Sequence, residues 1–424
     1  MKRSTVIGAG LVVAVAAAAG WVWCDRGLEQ AERLARHDLW QDVHAPLVRY
    51  LLVHPTDARA NLLRAEALVK DGTVPLDARL AGTMAALGRI PDTAPEAAVA
   101  RVAEGRTRLF LMYEPMAAEE RLKRAVELDP GSFDGHMVLW KLYDLTGQPD
   151  LVEPHFWAAY EHAPDERQPL VLRDWYLSQF YPTIANAEAD LLMGFRSSPQ
   201  QDPQAVEVNR LMRFRLAEPG GPYGHAAMAR WFREQGEFAF AVELLDTMAQ
   251  RMTPADQAHP YFRGTLIDLL LELGEFERAR ELFDSWSGPT DVREYDLVRG
   301  RVMTDVLGDA VEAEAAFARA LDGWPGPIDW RTMSRHATSL VRLGRTAEAE
   351  AERERIKESQ AAMEESVLRG VRDRLQNLED AEGLAEVVAF YRRIGRDREA
   401  ECWTRYIEGL TSRAVAEPAA AGDP

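Results

Sequence analysis

One pattern of apolar and polar positions recurs along the chain. LGEFERARELF (Leu273–Phe283), QGEFAFAVELL (Gln235–Leu245), LGDAVEAEAAF (Leu307–Phe317), LGRTAEAEAER (Leu343–Arg353), IGRDREAECWT (Ile394–Thr404) and TGQPDLVEPHF (Thr146–Phe156) each carry glycine second. Five of the six have alanine five residues after that glycine, and the sixth has Val152. A large or apolar side chain usually stands four residues further on. Upstream of the glycines, HAAMARWFREQG and FRGTLIDLLLELG space their apolar residues by three and four, the period of an amphipathic helix. Glycine after such a run is a helix stop, because it accepts positive φ without a Cβ clash. The alanine and the residue four later share a face of the next helix. The small side chain lets two helices approach and the large one fills the space beside it. The motif therefore predicts one helix ending and a second beginning, packed through a small–large pair.

The pattern has a period. Tyr113 to Gly147, Ala118 to Val152, Leu122 to Phe156, Ala125 to Ala159 and Pro130 to Pro164 are each 34 residues apart, as are Gly274 to Gly308 and Phe283 to Phe317. Gly236 to Gly274 is 38 and Gly308 to Gly344 is 36, which predicts slightly longer turns there. A fixed period in this range with helix–turn–helix content marks a repeat array. The chain resembles tetratricopeptide repeat (TPR) proteins. The match is fullest over Phe133–Glu166, with Leu139, Trp140, Tyr143, Gly147, Val152, Phe156, Ala159 and Pro164 at the family's offsets. Trp40, Val43, Leu47 and Pro55 match a second helix, and Ala65, Leu68 and Gly72 the next first helix. Residues 73–100, 167–220 and 351–380 depart from the pattern. The resemblance implies an all-α, right-handed α-solenoid of about ten TPR-like helix pairs, each burying a face only against its neighbours, behind an N-terminal signal or anchor helix.

That N-terminal helix is expected because Lys2 and Arg3 precede the uncharged stretch VIGAGLVVAVAAAAGWVWC (Val6–Cys24). The layout suits a signal peptide, with Ala17 and Ala19 before a cleavage point. It equally suits a transmembrane anchor, with Trp21 and Trp23 in the interfacial aromatic belt. The anchor is the reading adopted: the protein is tethered to the inner membrane with its repeats outside the cytoplasm, in the periplasm, and secretion after cleavage is the alternative. Trp23 directly before Cys24 argues against lipoprotein processing. Residues 1–24 thus form the signal peptide or anchor, and 25–195 an N-terminal group of TPR-like repeats. Residues 196–204 (RSSPQQDPQ) form a linker or irregular loop, and 205–350 the C-terminal repeats. Residues 351–380 read as an inserted amphipathic helix on the spacing of Ile356, Met363, Val367, Val371, Leu375 and Leu378. It packs on the solenoid or, as the sharper alternative, forms a homo-oligomer seam. Residues 381–410 form a terminal helix pair and 411–424 a disordered tail.

Composition narrows the function. A net charge of −18 and a pI near 5.1 leave no basic footprint for nucleic acid. Cys24 and Cys402 form neither a disulfide framework nor a CxxC motif. No HExxH, GxSxG or phosphate-binding glycine loop appears. His155 and His162, like His37 and His44, lack the further ligands that a zinc site needs. The expectation is therefore a non-enzyme with no catalytic residues, cofactor or metal. Tyr223, Tyr261 and Tyr295 each stand 13 residues before their unit's glycine. The resemblance implies that this position faces the concave groove, with Arg230, Arg233 and Asp268 lining the same side. These six are the candidate partner-binding residues, since tyrosine offers large contact area at low entropic cost; the alternative is that each tyrosine caps contacts with the preceding unit. The Lys and Asn set with which the family grips chaperone tails is not matched. The expected function is a membrane-tethered scaffold or adaptor that binds a peptide or helix of a protein partner in its groove, for complex assembly, export or envelope maintenance. The alternatives are an accessory subunit of an enzyme complex, either positioning a catalytic partner or itself carrying a site in 167–220, and a secreted repeat protein that binds polysaccharide or another polymer.

The ladder reading expects Tyr261→Ala to spare folding. Ala279→Glu, by contrast, is expected to destabilise the array by a few kcal/mol, because it overpacks a helix contact and buries a charge. A thermal melt indistinguishable from wild type would refute the placement of Ala279.

Overall fold

The computed structural model describes residues 23–181 and 203–420. The N-terminal segment up to Val22, most of the expected linker at 196–204 and residues 421–424 lie outside them. Among the described residues every regular element is helical. In order these are α1 (Gly27–Arg36), α2 (Trp40–Val53), α3 (Ala58–Lys70), α4 (Leu76–Leu87), α5 (Ala97–Thr107), α6 (Pro115–Leu128), α7 (Phe133–Thr146), α8 (Pro149–His162), α9 (Gln168–Phe180), α10 (Pro203–Ala217) and α11 (Pro222–Glu234). There follow α12 (Phe238–Ala249), α13 (Pro254–Gln257), α14 (Pro260–Leu273), α15 (Phe276–Asp284), α16 (Arg293–Val302), α17 (Ala310–Ala320), α18 (Trp330–Arg342), α19 (Thr346–Ala362), α20 (Glu365–Arg374), α21 (Ala381–Arg393) and α22 (Asp397–Ala420). Among the described residues no helix is long and apolar enough to cross a membrane.

The fold is all-α and its pairs are of the TPR type. Gly147, Gly236, Gly274, Gly308, Gly344 and Gly395 all adopt left-handed backbone, with φ between 70° and 79°, and each ends the first helix of a pair. Ala241, Ala279, Ala313, Ala349, Ala400 and Val152, the residues five later, are all buried. The large residue lands against the partner helix: a Cβ placed on Gly300 in α16 would sit 2.5 Å from the Phe317 ring of α17. The longer spacings have visible causes. Helix α13 occupies the connection that stretches Gly236–Gly274, and a 3₁₀ turn at Gly326–Ile328 lies between Gly308 and Gly344.

The chain divides into two compact units, Met1–Val138 and Leu139–Pro424. In the first, α1 pairs with α2, α3 with α4 and α5 with α6. Ala31, Val43, Leu47 and Leu51 anchor one part of its core, and Ala65, Ala86, Leu87 and Ile90 another. Tyr113, 34 residues before Gly147, also takes left-handed backbone at φ 61°, so the repeat geometry holds there without glycine. Trp23 is exposed, and the Arg49 guanidinium lies over its ring at 3.8 Å.

The second unit departs from a simple stack. In a solenoid each repeat touches only its neighbours. Here α8 and α9 also bind elements far along the chain. The Trp324 backbone N–H donates to Glu153 Oε2 at 2.7 Å, and its indole N–H donates to Gln179 Oε1 at 2.6 Å. The Tyr176 hydroxyl donates to the Leu368 carbonyl at 2.7 Å, and Arg398 donates to Glu161 at 2.6 Å. Arg396, 243 residues from Glu153, pairs with it. Around these bonds Trp175 lies 5.5 Å from Trp324 and Phe180 lies 5.4 Å from Phe390, centroid to centroid. The unit therefore closes on itself. This explains why the division falls at Val138 rather than at 196–204: α8 and α9 belong with the C-terminal helices they bind.

Two further expectations are corrected. Residues 351–380 do not hold one inserted helix. Helix α19 runs on to Ala362, the chain turns at Met363–Glu364, and α20 follows as the added element. Val371 and Leu375, two of the six residues of the candidate oligomer seam, are buried within the chain itself. The expected disordered tail from 411 begins as helix, since α22 continues to Ala420. Its alanine, arginine and glutamate residues are good helix formers.

Glu153 is the hub of the closure. Burial would push its carboxyl up, but the Arg396 guanidinium and the Trp324 and Trp157 N–H donors outweigh burial and hold it below the usual range. Glu153→Ala should cost about 2 kcal/mol, because it leaves buried Arg396 with Glu399 alone and strips two N–H groups of their acceptor. Urea unfolding measures this, and an unchanged midpoint would show that the closure adds no stability.

Candidate functional site

The first helices of successive pairs bring a row of charged residues to the inner face of the second unit. Arg230 and Arg233 lie on α11, Asp268 and Glu272 on α14, Arg301 on α16 and Arg335 on α18. Because the repeat sets their separation at 33 to 35 residues, each can reach the next helix. Arg233 binds Asp268 at 2.9 Å. Arg301 pairs with the Asp268 carboxylate, donates to the Asp268 backbone carbonyl at 3.0 Å and reaches Glu272 at 3.1 Å. Arg335 bridges Glu272 at 3.4 Å and Asp305 at 3.3 Å. Arg230 binds Glu294 at 2.7 Å and donates to Thr265 Oγ1 at 2.9 Å, with its guanidinium 4.1 Å above the Tyr261 ring. The charges form a ladder of paired arginines and carboxylates that clamps the first helices together.

The α7–α8 turn covers this ladder. The Tyr261 hydroxyl donates to the Thr146 carbonyl, and Arg230 donates to the Gly147 carbonyl at 3.2 Å. Gly147 is required here twice over: its φ is 72°, and a Cβ would stand 3.0 Å from the Tyr261 hydroxyl. What remains is a polar cavity of about 500 Å³, with Asp144 and Glu207 at its wall beside the arginines. Burial pushes the Asp144 carboxyl up to about 6 against the opposing Lys141 charge. Burial and the Glu234 charge raise Glu207. Asp268 behaves oppositely: burial would raise it, but Arg301 and Arg233 prevail and hold it at about 2. Burial also pushes the Tyr261 phenol up to about 12.

Of the six residues singled out by spacing, the structure brings Arg230, Arg233, Tyr261 and Asp268 together. The exposed tyrosine ladder is not present. Tyr223 and Tyr261 are each only 2% exposed and meet edge to face at 6.3 Å. Tyr295 diverges to stack on Phe283 at 5.7 Å and to meet the Trp286 ring at a 60° tilt at 5.2 Å. Tyr261 is covered because the α7–α8 turn occupies the groove that it was expected to line, and Tyr223 packs on Tyr261 and His259. Tyr261→Ala therefore removes a buried ring and a hydrogen bond, so the expectation that it spares folding does not hold. Glu294, Arg301, Arg335 and Asp144 escaped the sequence reading. The spacing from Asp268 to Arg301 and on to Arg335 was visible, whereas the partnership of Arg230 with Gly147, 83 residues away, left no periodic trace. Among the described residues no group of three or more His, Cys, Asp or Glu is placed to hold a metal ion.

No protein-family model matches the chain, and no curated protein matches it. Solved structures that it resembles include Pseudomonas aeruginosa pilF, at 19% identity over 55% of this chain and 93% of that one, with a TM-score of 0.24. Another is the Cut9–Hcn1 hetero-tetramer of the APC/C, at 13% identity over 92% and 81%, with a TM-score of 0.37. A third is the human IFIT1 dimer with PPP-AAAA, at 13% identity over 90% and 89%, with a TM-score of 0.32. Likenesses this distant carry nothing about partners, and the TPR-type assignment rests on the helix pairs themselves.

The two shifted carboxyls give opposite pH dependences. Asp268 has a folded pKa below its unfolded value near 4, so its stabilisation is complete above that value and is lost as pH falls from about 4 toward 2. Its share is about 2 kcal/mol. Asp144 has a raised folded pKa, so protonation between pH 6 and 4 stabilises the fold. Asp144→Asn should therefore be more stable than wild type at pH 7, an advantage that vanishes by pH 4. Denaturant titrations at pH 7, 5 and 4 test this, and a wild-type-like variant at pH 7 would contradict the burial of Asp144.

Proposed function

We propose that the protein is a non-catalytic scaffold of the TPR type that holds a protein partner on the outer turn edge of its second unit. One observation carries this reading. Leu273, Leu307 and Val341 lie 34 residues apart at the ends of successive first helices, and all three are exposed. Phe240 (50% exposed), Phe276 (43%) and Val311 (63%) stand beside them at the starts of the second helices. Large apolar side chains that recur near the turns of successive repeats on a water-facing edge mark an interaction surface, because a fold that needed only solubility gains nothing from them. The inner groove suits this role less well, since the chain's own turn fills it and its charges are paired internally. The N-terminal basic pair and the uncharged run Val6–Cys24 support a tether to the inner membrane with the repeats outside the cytoplasm. A tether would raise the effective concentration of the edge near membrane partners in assembly, export or envelope maintenance.

A second reading, an accessory or catalytic role in an enzyme complex, draws on the cavity where Asp144 and Glu207 meet the arginine row. It ranks below the scaffold because Arg230, Arg233, Arg301 and Arg335 are already neutralised by carboxylates of the same ladder.

A photo-crosslinking phenylalanine analogue at position 276 or 307, irradiated in the native membrane fraction, should give a discrete adduct with another polypeptide. The same analogue at exposed position 364 should give none. Equal labelling at all three positions, or none at 276 and 307, would sink the scaffold reading.

A further inference from the structure

We propose that the partner presents a cationic amphipathic helix to this edge. The inference rests on the scaffold reading and adds the chemistry of the partner. Charge is the first argument. Residues 234–240 and 305–314, which flank two of the turns, contain no Lys or Arg. Glu237, Glu243 and Glu277 are exposed and make no ion pair among the described residues, so their charge is uncompensated there around Phe240 and Phe276. Of the cations on α15, Arg278 is committed to Asp246 and Glu275, and Arg280 to Asp284. A surface that combines apolar rungs with unanswered carboxylates repels lipid phosphates and nucleic acid. It attracts a polypeptide that carries lysine or arginine beside its own apolar side chains.

Spacing is the second argument. The rungs belong to one continuous edge, because the Arg278–Asp246 pair ties α15 to α12 and α15 packs on the turn at Met303–Leu307. Helices that pack side by side lie about 8–10 Å apart. Two turns of an α-helix advance about 10.5 Å. A helix laid across the edge therefore sets apolar residues at i, i+7 and i+14 against successive rungs: Phe240, then Leu273 with Phe276, then Leu307 with Val311. Its flanking cations then fall beside Glu237, Glu243 and Glu277. An extended strand alternates faces every second residue and would set only part of its apolar set on so widely spaced a row.

The test is fluorescence anisotropy with the full-length protein and two labelled 18-residue peptides. Both carry the same leucine pattern of an amphipathic helix, one with lysine and one with glutamate at every other position. The lysine peptide should bind and weaken with added salt, and the glutamate peptide should not bind. Phe240→Ser with Phe276→Ser, and separately Glu237→Lys with Glu277→Lys, should each weaken the lysine peptide roughly tenfold. Glu364→Lys with Glu365→Lys changes net charge equally away from the edge and should leave binding unchanged. These side chains are exposed, so matched thermal melts confirm folding. Equal weakening by the 364/365 pair, or indifference to the phenylalanine pair, means that net charge alone attracts the peptide and overturns the proposal. Binding of the glutamate peptide that depends on Phe240 and Phe276 also overturns it, while leaving the edge as a docking surface and the scaffold reading intact.

Discussion

The close approach of two helices at a buried alanine governs this molecule. Ala241, Ala279, Ala313 and Ala349 are fully buried, and the left-handed glycine five residues earlier turns the chain so that each can be. Once that contact recurs at a nearly constant period, every other position recurs with it. Rows of equivalent side chains then run from repeat to repeat, and a row can be neutral, charged or apolar according to which residue fills it. The salt ladder of the inner face and the apolar rungs of the outer edge both build on this repeating frame, at positions that shift by a few residues from one repeat to the next.

The two rows differ in what answers them. On the inner face the charges are paired with one another across the repeats, and the α7–α8 turn supplies carbonyls to Tyr261 and Arg230. Desolvation makes such groups costly to leave unpaired, so their mutual satisfaction reads as structure before it reads as recognition. On the outer edge Phe240, Phe276 and Val311 remain exposed, and among the described residues Glu237, Glu243 and Glu277 near the two phenylalanines make no ion pair. The unsatisfied row is the better guide to function.

Closure of the second unit changes the mechanical character of the repeat fold. A solenoid with free ends has stability that is roughly a sum of neighbour terms, and it bends easily. Bonds from Glu153 to Trp324 and Arg396, and from Tyr176 to Leu368, join elements that a linear array would keep apart. Joined ends hold the curvature of the unit, and with it the spacing of the edge that a partner would meet.

The amino-acid sequence by itself determined the helix pairs: six glycines, the buried residue five after each, and the longer turns before Gly274 and Gly344 all stood where the period placed them. These are local facts, since a helix stop and a small–large contact are written within a dozen residues. It also brought Arg230, Arg233, Tyr261 and Asp268 to one face, because helical spacing decides which residues share a side. Tertiary structure alone decided that Tyr223 and Tyr261 are covered, that α8 and α9 belong with the C-terminal helices, and that the chain after Gly344 breaks into α19 and α20. Periodicity cannot express those outcomes. They depend on single contacts between residues as far apart as Glu153 and Arg396, which follow no repeat and exist only once the unit has closed.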